Sequence, residues 1–132
     1  GYIIDDTHER LVYITDTGYI KESVLPDISN ADYYIMESNH DPMMLMKLRR
    51  PHYLKARILS DNGHVCNQDS AIVLAKIIGD NTKEILLAHI SEEANTIGLA
   101  LTTVTEYVKM HARLPIIRAA KQYEIVMGGS TV

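Results

Sequence analysis

Three apolar runs of this chain end on side chains that can bind metals or move protons. Asp16 closes "YITDTG", Glu37 and His40 follow "YYIM" in "ADYYIMESNHD", and His89 ends "EILLAH". A fourth stretch, "SDNGHVCN", sets His64 just after a glycine. Carboxylates and imidazoles presented from rigid strand ends are the donors that a hard or borderline divalent ion takes up. The same groups serve acid–base catalysis. Each also has an ordinary reading. Asp16, between two threonines and before Gly18, taken alone fits a turn over a ligand by roughly two to one. His89 fits a satisfied core histidine, His64 a loop histidine bonded to backbone, Glu37 a cap or ion pair, and His40 a strand terminator. The functional reading rests on coincidence, because several ionisable groups lie at the ends of elements that belong in one sheet. His8, His52 and His111 sit among polar neighbours and read as surface.

A second cluster, Lys47, Arg49, Arg50, Lys55 and Arg57 in "KLRRPHYLKAR", surrounds His52 and Tyr53. It could hold the phosphates of a nucleic-acid strand, with Tyr53 as a stacking face. A solvated helix surface is the plainer account of such a charge run. Met43, Met44 and Met46 suit adaptable packing better than a cofactor box. "GGS" lies near the end of the chain and leads into no helix, so no phosphate-cradling loop is evident. Cys66 has His64 nearby, yet a nucleophile pair also needs an orienting third group and an oxyanion site, which disfavours a cysteine hydrolase.

The elements that must position these residues follow from pattern. Tyr2–Ile4 and Leu11–Thr15 read as a hairpin, Tyr33–Met36 as a third strand, and "IKESVLPDISN" as a short helix interrupted or restarted by Pro26. Asp41 and Pro42 open a helix over "MMLMKL", and "PHYLKARILS" reads as another. The strongest helical pattern starts at Asn67 as its cap. Ala71, Leu74, Ala75 and Ile78 share a face there, and Gly79 suits a left-handed stop. "KEILLAHIS" has the near-continuous apolar character of a strand covered on both faces. A helix from about Asn95 carries Ile97, Leu101, Val104 and Val108 on one stripe and ends before Pro115. "YEIVM" reads as a last strand before the tail "GGSTV". Alternating strands and helices in the second half imply α/β architecture with at least one crossover.

The 132 residues, 46% hydrophobic, suffice for one domain with a real core. Eight Tyr with no Phe or Trp leave that core to Ile, Leu, Val, Met and Ala. A net charge of −4 argues against a surface built wholly for nucleic acid, while a local basic patch stays open. The lone Cys66 excludes an intramolecular disulfide and a cysteine-rich metal site, and suits a reducing cytoplasm. No apolar run approaches a membrane span, so the sequence reads as soluble and cytoplasmic, with no membrane partner.

The motifs "YITDTGYI", "ADYYIMESNHDPMML", "LKARILSDNGHVCNQDSA" and "NTKEILLAHISEEAN", in this order over about three quarters of the chain, resemble the C-terminal half of a metallo-β-lactamase-fold hydrolase of the WalJ/YycJ type. The resemblance implies an α/β fold, one half of an αββα sandwich with a mixed sheet and flanking helices, and residues 1–132 as a single half-domain. It implies a parent phosphodiesterase or exonuclease acting on DNA with two divalent ions (Zn, Mn or Fe). Asp16 would bridge the ions and His89 would ligate one. Glu37 and His64 would form an acid–base or phosphate-orienting pair, with His40 lining the same cleft. The family's N-terminal His-x-His-x-Asp-His motif and a later histidine are not in this sequence, and Cys66 stands where relatives typically have serine. Metal binding is therefore expected to be weak or absent in this chain alone, with no catalysis. A half sandwich leaves one sheet face open, which predicts a truncated or proteolytic piece that self-associates as a homodimer. Two other functions stand beside the nuclease: a non-catalytic binding or assembly module, and a hydrolase of a small phosphorylated or thioester metabolite.

Overall fold

The computed structural model describes residues 2–15, 20–47 and 64–120. The expected hairpin is present as β1 (Tyr2–Asp5) and β2 (Arg10–Ile14), paired antiparallel with Tyr2 opposite Tyr13. A 3₁₀ turn (Glu22–Val24) runs into α1 (Leu25–Ile28), with Pro26 in the first turn, where a missing N–H costs nothing. β3 (Tyr33–Glu37), α2 (Pro42–Lys47), α3 (Asn67–Ile77), β4 (Glu84–Ala88), α4 (Ile97–His111) and β5 (Ile116–Ala119) complete the order. The sheet runs β1-β2-β3-β4-β5, with β2 through β5 all parallel. This is the mixed sheet with flanking helices that the resemblance implied.

Alternation along the strands divides the sheet into two unlike faces. Val12, Ile14, Tyr34, Met36, Ile85 and Leu87 are buried and join Leu74, Ile77, Val104 and Val108 of α3 and α4 in one core. The registers place Tyr13, Ile35 and Leu86 side by side on the opposite face, where each is only partly buried. Tyr34 ties the core's edge together: its hydroxyl accepts from the Ala31 N–H (3.0 Å) and faces the carbonyls of Ile28 (2.5 Å) and Ile77 (3.2 Å). Burial raises its phenol pKa.

Local details depart from the sequence reading at five points. Cys66, not Asn67, caps α3: its Sγ accepts from the Asp69 N–H at 3.4 Å, and Asn67 is the first helical residue. The helix's buried stripe is Asn67, Ser70, Ala71, Leu74 and Ile77, leaving Ala75 and Ile78 half-buried. Gly79 is not left-handed. It is required by closeness instead, since a Cβ there would lie 2.1 Å from Asn30 Oδ1. Thr96 caps α4 by accepting from the Leu99 N–H at 2.9 Å, which frees Asn95 for the interior. β5, formed by "IIRA" after Pro115, went unread because four residues with no clean alternation carry little periodic signal. "YEIVM" and "PHYLKARILS" lie outside the described residues. Among those described, no helix is long and apolar enough to cross a membrane.

Candidate active site at the strand ends

Parallel strands deliver their C-terminal ends to one edge of the sheet, where ligands bind in open α/β folds. The register pairs Glu37 with Ala88 there, so the residues that follow each strand become neighbours. Ser38 N–H donates to the Ala88 carbonyl at 3.0 Å, and Asn39 N–H donates to the Val65 carbonyl at 2.8 Å. A one-residue parallel bridge, His40 with Cys66, carries the pairing into the segment that holds His64. Three segments distant in sequence are thus laced by backbone hydrogen bonds before any side chain is considered.

Glu37 is the centre of the arrangement. Its side chain is fully buried, and Oε1 lies 3.1 Å from Nδ1 of His64 and 3.1 Å from Nδ1 of His89. Oε2 accepts from the buried Val65 N–H at 2.8 Å. A carboxylate only accepts, so the proton of each neutral ring sits on Nδ1 and the lone pair on Nε2, at the opposite edge. The two rings are 37% and 39% exposed, and so reach solvent while Glu37 does not. This is the arrangement that fixes the tautomer and direction of a metal-binding histidine. It equally prepares an imidazole to accept a proton from outside.

His40 lies deeper, at 1% exposure, with Nδ1 3.3 Å from Asn39 Oδ1. Burial is the main cause that lowers its pKa. The charge of His64 adds to that effect, and Glu37, Asp41 and Asp69 oppose it. Of the basic cluster, Lys47 ends α2 and is exposed. Arg49, Arg50, Lys55 and Arg57 lie outside the described residues, as does Asp16. The structure therefore brings together Glu37, His64, His89 and the neighbouring His40. His8 and His111 are exposed, as expected.

Two sets of residues escaped the sequence reading. Ser38, Asn67 and Asn95 are all buried and form a closed polar knot behind the site. Ser38 Oγ lies 2.6 Å from Asn67 Oδ1, the two amides exchange bonds of 2.9 and 2.8 Å, and Asn95 Nδ2 donates to the Ser38 carbonyl at 3.0 Å. A signal was available, since Asn67 shares a helical stripe with Ala71 and Leu74, and a polar residue on a buried face must find partners. Asn39 had no such signal, because its bonds are made only across the fold.

Among the described residues, no group of three or more His, Cys, Asp or Glu side chains is placed to hold a metal ion. The described residues alone therefore do not fit a metal centre. What they offer toward one is the pair of imidazoles, His64 and His89, that Glu37 orients.

The chain is 43% identical over 108 residues to the exodeoxyribonuclease YycJ of Bacillus anthracis, a match covering 82% of this chain and 41% of that protein. It is 42% identical over 96 residues to the exodeoxyribonuclease WalJ of Streptococcus pneumoniae, covering 73% of this chain and 36% of that one. The metallo-β-lactamase fold protein YhfI from Bacillus subtilis matches in structure with a TM-score of 0.58 at 20% identity, over 91% of this chain and 40% of that chain. No protein-family model matches. The chain spans about two fifths of the length of these relatives. With its mixed sheet and its strand-end cluster, it is a partial counterpart of the WalJ/YycJ-type proteins and has the metallo-β-lactamase fold over that part.

Proposed function

We propose that this chain is a half-domain, residues 1–132, of a metal-dependent phosphodiesterase that acts as an exonuclease on DNA in the cytoplasm. The observation that carries the reading is the buried Glu37 carboxylate holding the Nδ1 atoms of His64 and His89 from one oxygen. The names of the two relatives, both exodeoxyribonucleases, support the substrate class. In this reading His89, through Nε2, and Asp16 would help to hold the metal, and the remaining donors would come from the rest of the parent protein. Two divalent ions (Zn, Mn or Fe) would supply an activated hydroxide and neutralise charge on the phosphate. His64, oriented by Glu37, moves a proton at Nε2 or fixes a phosphate oxygen, and His40 supports the wall behind it. Lys47, Arg49, Arg50, Lys55 and Arg57 would track the DNA backbone.

The test is turnover of single- and double-stranded DNA by the full-length protein. Asp16→Ala and His89→Ala should abolish it with loss of bound metal, whereas His64→Ala should lower kcat with metal retained. Full activity in all three variants would end the assignment. Reduced turnover and a flatter salt dependence on neutralising Lys47 and Arg49 would favour DNA over a small metabolite.

A second reading, a binding or assembly module, draws on the half-exposed sheet face of Tyr13, Ile35 and Leu86. We propose that this face is covered by a second copy when the chain stands alone. Light scattering after size exclusion should then give a dimer, and a well-folded monomer would refute it.

A further inference from the structure

The proposed site depends on the aim of His89, and the backbone there is unusual. His89 has φ of 53°, and Asn30 is the other described non-glycine residue with positive φ. L residues adopt that region sparingly, and the surrounding structure must impose it. Two bonds at and just after this turn converge on one residue. Asn39 Nδ2 donates to the His89 carbonyl at 2.7 Å, and the Asn39 carbonyl accepts from the Ser91 N–H at 2.7 Å. Its N–H meanwhile donates to the carbonyl of Val65, next to His64. Asn39 thus grips the chain at and after His89 and also anchors the His64 segment.

The geometry points to Asn39 as the positioning residue of the site. Its carboxamide holds the left-handed turn at His89 and thereby keeps Nδ1 of that ring on Glu37 Oε1. The backbone donor and acceptor of Asn39 are retained on substitution by alanine or aspartate, so the side-chain donor is the separable element. Of the natural side chains, an aspartate has the same shape but presents a carboxylate oxygen to the His89 carbonyl, which repels where the amide attracts. This inference rests on the reading of His89 as a functional side chain.

The experiment is NMR of the uniformly labelled chain, without metal or substrate, for wild type, Asn39→Ala and Asn39→Asp. Tyr34→Phe serves as a variant that weakens the fold elsewhere. The HN–Hα coupling and Cα shift of His89 report the left-handed turn, and the exchange rate of its Nδ1–H reports the bond to Glu37. Both Asn39 variants should stay folded, lose the left-handed signature and raise Nδ1–H exchange by at least about tenfold, while Tyr34→Phe leaves both signals as in wild type. Unchanged His89 signals in the Asn39 variants would overturn the proposal. So would equal loss in Tyr34→Phe, or unfolding of both Asn39 variants, since each marks a purely structural role. Because no turnover enters these readouts, failure here is distinguishable from failure of the nuclease assignment, which the Asp16 and His64 variants decide.

Discussion

The two ends of the parallel strands treat their polar side chains in opposite ways. At the N-terminal ends, an open depression of roughly 560 Å³ is lined by Asp32, Asp80, Lys83, Arg113 and their neighbours. Its charges are met locally and in water. The Arg113 guanidinium donates to the carbonyls of Gly79, Asp80 and Thr82, and Lys83 pairs with Glu9 at 3.0 Å. The Glu9 carboxylate is held below the ordinary glutamate value, chiefly by a hydrogen bond from Tyr33 and then by Lys83. At the C-terminal ends, Glu37 is removed from water altogether and is satisfied by two imidazoles and one backbone N–H. Desolvating a carboxylate is costly, and an apolar residue would serve the core better. A fold that keeps one here gives up stability for orientation, whereas Lys83, Asp80 and Arg113 around the opposite depression stay in contact with water.

That contrast can be broken by substitution. The largest effect is expected for Glu37→Ala, which leaves the buried Val65 N–H without its acceptor and opens a cavity. A loss of about 3 kcal/mol in urea unfolding is expected. A loss below about 1 kcal/mol would mean that the carboxylate is as dispensable as a surface ion pair. A smaller effect concerns pH. The folded-state pKa of His40 lies below its ordinary value near 6.5, so the unfolded chain binds the extra proton first. Its contribution to stability is present above about pH 6.5 and is lost as pH falls from there toward the folded pKa. Unfolding midpoints at about pH 7.5 and 5.5 should differ more for wild type than for His40→Gln. Equal differences would show that the buried imidazole is not what titrates. The smallest effect is expected at the other end. Lys83→Ala removes an exposed pair and should leave Tm unchanged within error, and a clear drop would erase the distinction between the two regions.

How much of this was legible beforehand depended on range in sequence. The stripe of α4 was readable because Ile97, Leu101, Val104 and Val108 recur at helical spacing, and all four enter the core or pack against it. The candidate site was legible as a list of strand ends, and Glu37, His64 and His89 do converge. Its wiring was not legible, because Glu37 meets rings 27 and 52 positions away and the contact depends on strand register. Gly79 illustrates the same limit. A glycine after a helix suggests a left-handed stop, whereas the actual constraint is the Asn30 side chain, which arrives from a loop on the far side of β3 in sequence.

The amino-acid order by itself determined the alternating elements, the apolar faces and the placing of ionisable groups where strands end, because helix and strand periods are local properties of the chain. It also carried the resemblance to the WalJ/YycJ type, since the motifs are contiguous. Only the tertiary structure decided that one carboxylate oxygen serves two histidines, that Cys66 caps α3 while Asn67 turns inward, and that Asn39 holds the backbone of His89. Each of these is a hydrogen bond between short polar groups, whose strength vanishes with displacements of an ångström or so. The bonds of Glu37 to His89 and of Asn39 to the His89 carbonyl exist only once the parallel register of β3 and β4 has fixed which residues stand opposite each other.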